Sequence, residues 1–104
     1  MAWLWLVVAG LLEIVWAFSM KLSDGFTRWL PTTITAIATI LSFGLLSIAM
    51  KTLPLGTAYV TWTGIGAVGS FIIGVAFLGE SLSLARIAAA VLVVTGVVLL
   101  RLSA

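Results

Sequence analysis

Residues 31–50 read PTTITAIATILSFGLLSIAM, twenty positions without a charge, and residues 54–79 read PLGTAYVTWTGIGAVGSFIIGVAFLG, again uncharged throughout. A bilayer core about 30 Å thick is crossed by about 20 helical residues, so either stretch is long enough to span it. On the N-terminal side, WLWLVVAGLLEIVWAFSM (3–20) is broken only by Glu13. On the C-terminal side, LARIAAAVLVVTGVVLLR (84–101) carries its two arginines near its ends, where long side chains reach the interface. Polar connections separate the four segments: Lys21 to Arg28, Lys51 with Thr52, and Glu80 with Ser81. The pattern predicts a single all-α membrane domain over residues 1–104, with four antiparallel transmembrane helices at about 3–20, 31–50, 54–78 and 83–101.

The composition agrees. Of 104 residues, 63% are hydrophobic and 8% charged, with a mean hydropathy of +1.36, whereas a soluble domain is roughly 25% charged. The chain cannot cover a water-facing surface, and four crossings leave no length for a domain outside the membrane. The first segment is expected to stay in the mature protein, because no Lys or Arg precedes Lys21 and a carboxylate interrupts its centre. Trp3, Trp5 and Trp29 lie near helix ends, where indoles anchor at headgroup level.

With no Cys and no His, disulfides, thiolate or imidazole metal sites and the usual nucleophile–base pairs are absent. No enzymatic activity, cofactor or metal site is expected. The five Lys and Arg form no basic run, so the alkaline pI of 9.7 marks membrane-flanking cations and not nucleic-acid binding. Their distribution is nearly even. With four crossings, Lys51 and Arg101 share the side of the N-terminal amine, while Lys21, Arg28 and Arg86 share the other. Since Lys and Arg bias sets orientation, a bias close to zero permits insertion both ways and hence an antiparallel homodimer.

Glu13 stands near the bilayer midplane, where an acidic residue costs about 2.5–3.5 kcal/mol on the insertion scale. No Lys or Arg lies mid-segment to neutralise it. A carboxylate so placed can hold a proton or a cationic guest, and competition between the two is sufficient for exchange. The alternative is a neutral acid that hydrogen-bonds across a helix interface. Steps of three and four place Ala9, Gly10, Glu13, Trp16 and Ala17 on one face of the first helix, and Gly56, Tyr59, Trp62, Thr63 and Gly66 on one face of the third. Ser42, with Thr35 and Thr39, adds a polar stripe on the second. Aromatic faces attract cations, and hydroxyl or indole donors orient a carboxylate. Glu13, Trp16, Tyr59, Trp62 and Ser42 therefore suit a small organic cation, although aromatic stripes also serve packing and hydroxyls also bond their own helix.

Gly64, Gly66 and Gly69 spell G-x-G-x-x-G, but no strand precedes them and no acidic residue follows at the required distance, so a dinucleotide site is excluded. Two readings remain: a hinge that lets the halves of the third helix move separately, or close helix packing. Ala85, Ala89 and Gly96 form a small-residue stripe on the fourth helix, expected to be a dimer interface.

The segments AGLLEIVWA (9–17), DGFTR (24–28), KTLPLGTAY (51–59) and WTGIGAVG (62–69) resemble the small multidrug resistance family of four-helix transporters over essentially the whole chain. The resemblance implies an antiparallel dual-topology homodimer in the bacterial cytoplasmic (inner) membrane that exchanges protons for cations by alternating access, with two copies of Glu13 sharing one site. Trp16, three residues after the glutamate, and the wording of residues 62–69 are similar to the guanidinium-exporting subtype; polyspecific drug exporters typically have glycine where Trp16 stands. The implied roles are proton and guanidinium binding at Glu13, with Gly10, Trp16, Ser42, Tyr59, Trp62 and Thr63 around it. A planar guanidinium fits a carboxylate bidentately, as an ammonium does not. The competing expectations are a quaternary-ammonium drug antiporter, a proton or cation channel, and a non-transporting subunit of a larger complex.

Overall fold

A computed structural model describes residues 1–103. It contains four helices: α1 (Ala2–Leu22), α2 (Trp29–Ala49), α3 (Leu55–Phe77) and α4 (Leu84–Ser103), each long and apolar enough to cross a membrane. Their ends follow local chemistry. At the end of α1 the buried Ser23 hydroxyl donates to the Met20 carbonyl at 2.6 Å, and its backbone N–H bonds the Ser19 carbonyl at 2.9 Å. Asp24, Gly25 and Phe26 then turn the chain with φ of 50°, 72° and 65°. α2 starts before Pro31 and not at it, because a proline in the first turn lacks an N–H that would have no intrahelical partner in any case. Pro54 similarly stands just outside α3 as its cap. At the far end of α3, Gly79 takes φ +70° and lets the Glu80 N–H return to the Gly74 carbonyl at 3.1 Å, closing the helix. Ser83 caps α4 by accepting the Arg86 N–H at 3.2 Å.

The lateral order is α2, α1, α3, α4. α1 packs on both α2 and α3, whereas the α4 backbone packs along α3, reaches α1 through the Arg101 side chain and contains no buried residue. α1 and α3 run in the same direction, with Gly10 opposite Ile65, Glu13 opposite Gly66 and Ile14 opposite Gly69. The Cα extents of 40 × 34 × 16 Å describe an open slab and not a closed four-helix square: one helix with its side chains is already about 10–12 Å across. Leu6, Ala9, Leu46, Ala49, Ala58 and Trp62 form the core, with Trp3, Trp5 and Trp16 packed against it. Small residues dominate because lipid competes equally for apolar side chains, so close backbone approach decides which surfaces meet. Trp3 and Trp5 thus pack inward, Trp3 beneath Arg101, whose guanidinium carbon lies 4.8 Å from the ring centroid. Trp29 is left exposed at its helix end.

Thr61 is 2% exposed, and its hydroxyl has no hydrogen-bond partner among the described residues. Thr35, Thr39 and Thr95, by contrast, each bond a carbonyl one turn back. An unpaired buried hydroxyl is a net cost, so the near-isosteric Thr61→Val is expected to stabilise the fold by about 1 kcal/mol. Unfolding in mixed micelles checks this; a loss of stability would mean that the hydroxyl is partnered.

Candidate functional site

α1 presents Glu13 to α3 at Gly66. The carboxyl group occupies the volume that a Cβ at position 66 would need, so only glycine permits this seat. Glu13 is half-buried, and its Oε1 is shielded from solvent without a hydrogen-bond donor among the described residues. One turn further, the Trp16 indole Nε1 is likewise shielded and without an acceptor. A lone acceptor and a lone donor lie on neighbouring turns of one helix, and leaving either unpaired costs about 1–3 kcal/mol.

A second cluster joins three helices. The Ser42 hydroxyl, fully buried on α2, donates to the Ala9 carbonyl of α1 at 2.7 Å and accepts the Trp62 Nε1–H of α3 at 2.9 Å. Trp62 in turn meets Phe43 edge-on at 5.5 Å and Tyr59 at 5.6 Å between ring centroids. Ser42 thus fixes the indole and is not bonded to the Glu13 carboxylate. Removing its oxygen leaves the Trp62 N–H without an acceptor, so Ser42→Ala is expected to cost about 1–3 kcal/mol. Chemical unfolding of the variant measures it, and an unchanged midpoint would contradict the network.

Of the residues singled out by sequence, Glu13 and Trp16 share one face of α1, and Ser42, Tyr59 and Trp62 share the adjoining cluster. Tyr59 is 52% exposed and, with Thr63, lines a groove of about 610 Å³ between α3 and α4, to which Gly64 and Gly96 also contribute. Gly10 is buried and the space beside it is filled by Ile65. Gly64 receives Val97 of α4, and Gly69 receives Ile14 of α1, within an unbroken α3. Ala85 and Ala89 are exposed on α4, Ala89 beside a cavity between α3 and α4, and Gly96 is half-buried in the α3–α4 groove. No cluster of three or more His, Cys, Asp or Glu occurs among the described residues. Phe43 is not singled out by sequence. Nothing at position 43 distinguishes a ring touching Trp62 from one facing lipid.

The family described as Small Multidrug Resistance protein matches residues 1–102. The chain belongs to that family. It is 55% identical over 104 residues to a guanidinium exporter of Salmonella typhimurium, covering 100% of this chain and 99% of the relative. It is 54% identical over 103 residues to guanidinium exporters of Yersinia pseudotuberculosis and Citrobacter freundii, covering 99% of this chain and 99% and 98% of theirs. As a member of the small multidrug resistance family with four spanning helices, the protein is a multi-pass transporter of the bacterial inner membrane.

Proposed function

We propose that the protein is a proton-coupled antiporter that exports guanidinium and small substituted guanidinium cations, working as an antiparallel dual-topology homodimer. The observation that carries this reading is the shielded, unpartnered Oε1 of Glu13. In hydrocarbon it must take a proton, or a cation that brings its own donors, and guanidinium supplies two in the plane of a carboxylate. Proton and guest compete for one group, and that competition couples their movements. The relatives named guanidinium exporters, similar over nearly their whole length, support the choice of guest.

Glu13 binds the cation; Gly10, Trp16, Ser42, Tyr59, Trp62 and Thr63 form its surroundings, with the Ser42 bond holding Trp62 as an aromatic wall. A slab 16 Å thick cannot enclose a guest by itself, which supports a second copy as the opposite wall. α4, which has no buried residue, offers the surface for that contact, with Ala85, Ala89 and Gly96 as its small residues. The near-even cation count supports opposed orientations. Gly64, Gly66 and Gly69 serve as the hinge on which α3 bends when the open side changes.

The test uses purified protein in liposomes with a guanidinium gradient and internal pH recorded. Proton movement against the guanidinium flow supports the exporter, uncoupled current means a channel, and no flux of either ion means a non-transporting bundle. Exchange driven equally well by a bulky quaternary ammonium, and retained in Trp16→Gly, would assign the polyspecific activity instead. Labelling of a cysteine introduced at Thr52 from both faces of the membrane tests the dual topology; labelling from one face alone would exclude it.

A further inference from the structure

Arg86, in the first turn of α4, carries the same planar fork as the cation the transporter is proposed to export, and groups of α3 and the turn after it gather around that fork. Its Nη1 donates to the Ser81 carbonyl and lies 3.3 Å from the Ser81 hydroxyl, its Nη2 is 3.6 Å from Glu80 Oε1, and its central carbon stands 5.0 Å from the Phe71 ring centroid. One edge donor thus bonds a carbonyl and another stands within ion-pair distance of a carboxylate, while the central carbon lies over an aromatic ring. A planar guanidinium, with several donors in a fixed fork, can meet all three groups at once, which favours it over a compact ammonium.

Glu80 is held independently of Arg86. Gly79 turns the chain at φ +70°, the Glu80 N–H is tied to the Gly74 carbonyl, and the Glu80 carboxyl sits over Gly74 in space that a Cβ would fill. On its other side Glu80 shares with Lys21 and Ser70 the lining of a cavity of about 110 Å³. Beside Phe71 an apolar cavity of about 220 Å³ runs between Ala67, Val68, Ala89, Ala90 and Val93, with room for a short alkyl tail. Arg86 and Glu80 keep 39% and 41% side-chain exposure, so their pair is not sealed inside the chain and is cheap to open.

We propose that Glu80, Ser81 and Phe71 form a second guanidinium site at the membrane edge of the α3–α4 hairpin, closed at rest by Arg86 and taken by a free alkylguanidinium when Arg86 swings out. Its use as a station on the route to Glu13 rests on the export reading; its existence does not.

Calorimetric titration of full-length protein in nanodiscs with ethylguanidinium tests this. Glu13→Gln is expected to remove the central binding. Adding Arg86→Ala to that background should create saturable binding, about tenfold tighter than that of ethylammonium, and adding Glu80→Gln should abolish it. Arg86→Gln, which retains a donor for Ser81, replaces Arg86→Ala should the latter not fold. A silent double variant, or binding that survives Glu80→Gln, overturns the proposal. If Glu13→Gln alone still binds, loss of that binding with Glu80→Gln supports the site and its persistence overturns it. An unresponsive Glu13 wild type, by contrast, sinks the export reading and leaves the outcome of the double variant to stand separately.

Discussion

Glu13→Gln is expected to reduce guanidinium-driven proton movement in liposomes to the level of vesicles without protein, while the fold persists. The amide keeps the shape of the carboxyl group and one acceptor oxygen but loses the charge, so both the proton site and the ionic partner of the guest disappear together. A hydrogen bond to a charged group contributes about 1.5–3 kcal/mol. Losing two to a bidentate guest weakens binding by at least about a hundredfold, since each 1.4 kcal/mol is tenfold. Stability should be unchanged or slightly increased, because Oε1 has no protein partner to lose and a neutral amide is cheaper to hold in hydrocarbon. Guanidinium-driven flux retained in the variant would remove Glu13 from the mechanism. A variant that no longer folds would show that the carboxylate is structural glue.

Much of the fold is written in the placement of eight charged residues, because a bilayer imposes both length and neutrality on a crossing segment. What the sequence does not disclose is which helix lies in the middle. Lipid-facing and protein-facing side chains are equally apolar here, so periodicity carries little information, and only small residues such as Ala9, Gly10, Ala49 and Ala58 mark where backbones approach. The same loss of contrast hides the open slab and the lack of any buried residue on α4.

The site is legible where one residue breaks the composition. Glu13 is the lone mid-membrane charge, and Trp16 follows it at helical spacing. The role of Ser42 is harder to read, because three hydroxyls share its stripe. Thr35 and Thr39 bond their own helix, at 2.8 and 2.7 Å, and Ser42 alone crosses to α1 and receives Trp62. No local rule distinguishes them; the difference is that Ser42 sits where Ala9 permits contact. Arg86 shows the converse. Read from the sequence as an arginine reaching the interface, it also lies over Phe71, and the Gly79 turn brings Glu80 and Ser81 back beside it.

Gly66→Ala is expected to lower guanidinium affinity by more than about tenfold with a smaller effect on stability. The added methyl group would overlap the Glu13 carboxyl, and two movements can relieve it. One is separation of α1 from α3. Ile65 against Gly10 and Ile14 against Gly69 hold that contact on either side, and a packed interface resists such a shift at a cost of about 1–3 kcal/mol. The other is rotation of the carboxyl group, the far end of a flexible side chain, which is the cheaper route. The carboxylate then leaves the position from which it would receive a guest. Gly69→Ala is the matched control: its methyl group meets Ile14 and not Glu13, so it should lower stability while affinity per folded molecule is retained. Calorimetric affinity and unfolding midpoints for the two variants therefore diverge in opposite senses. Equal affinity loss in both would mean that the α1–α3 spacing, and not the seat of the carboxyl group on Gly66, sets the site.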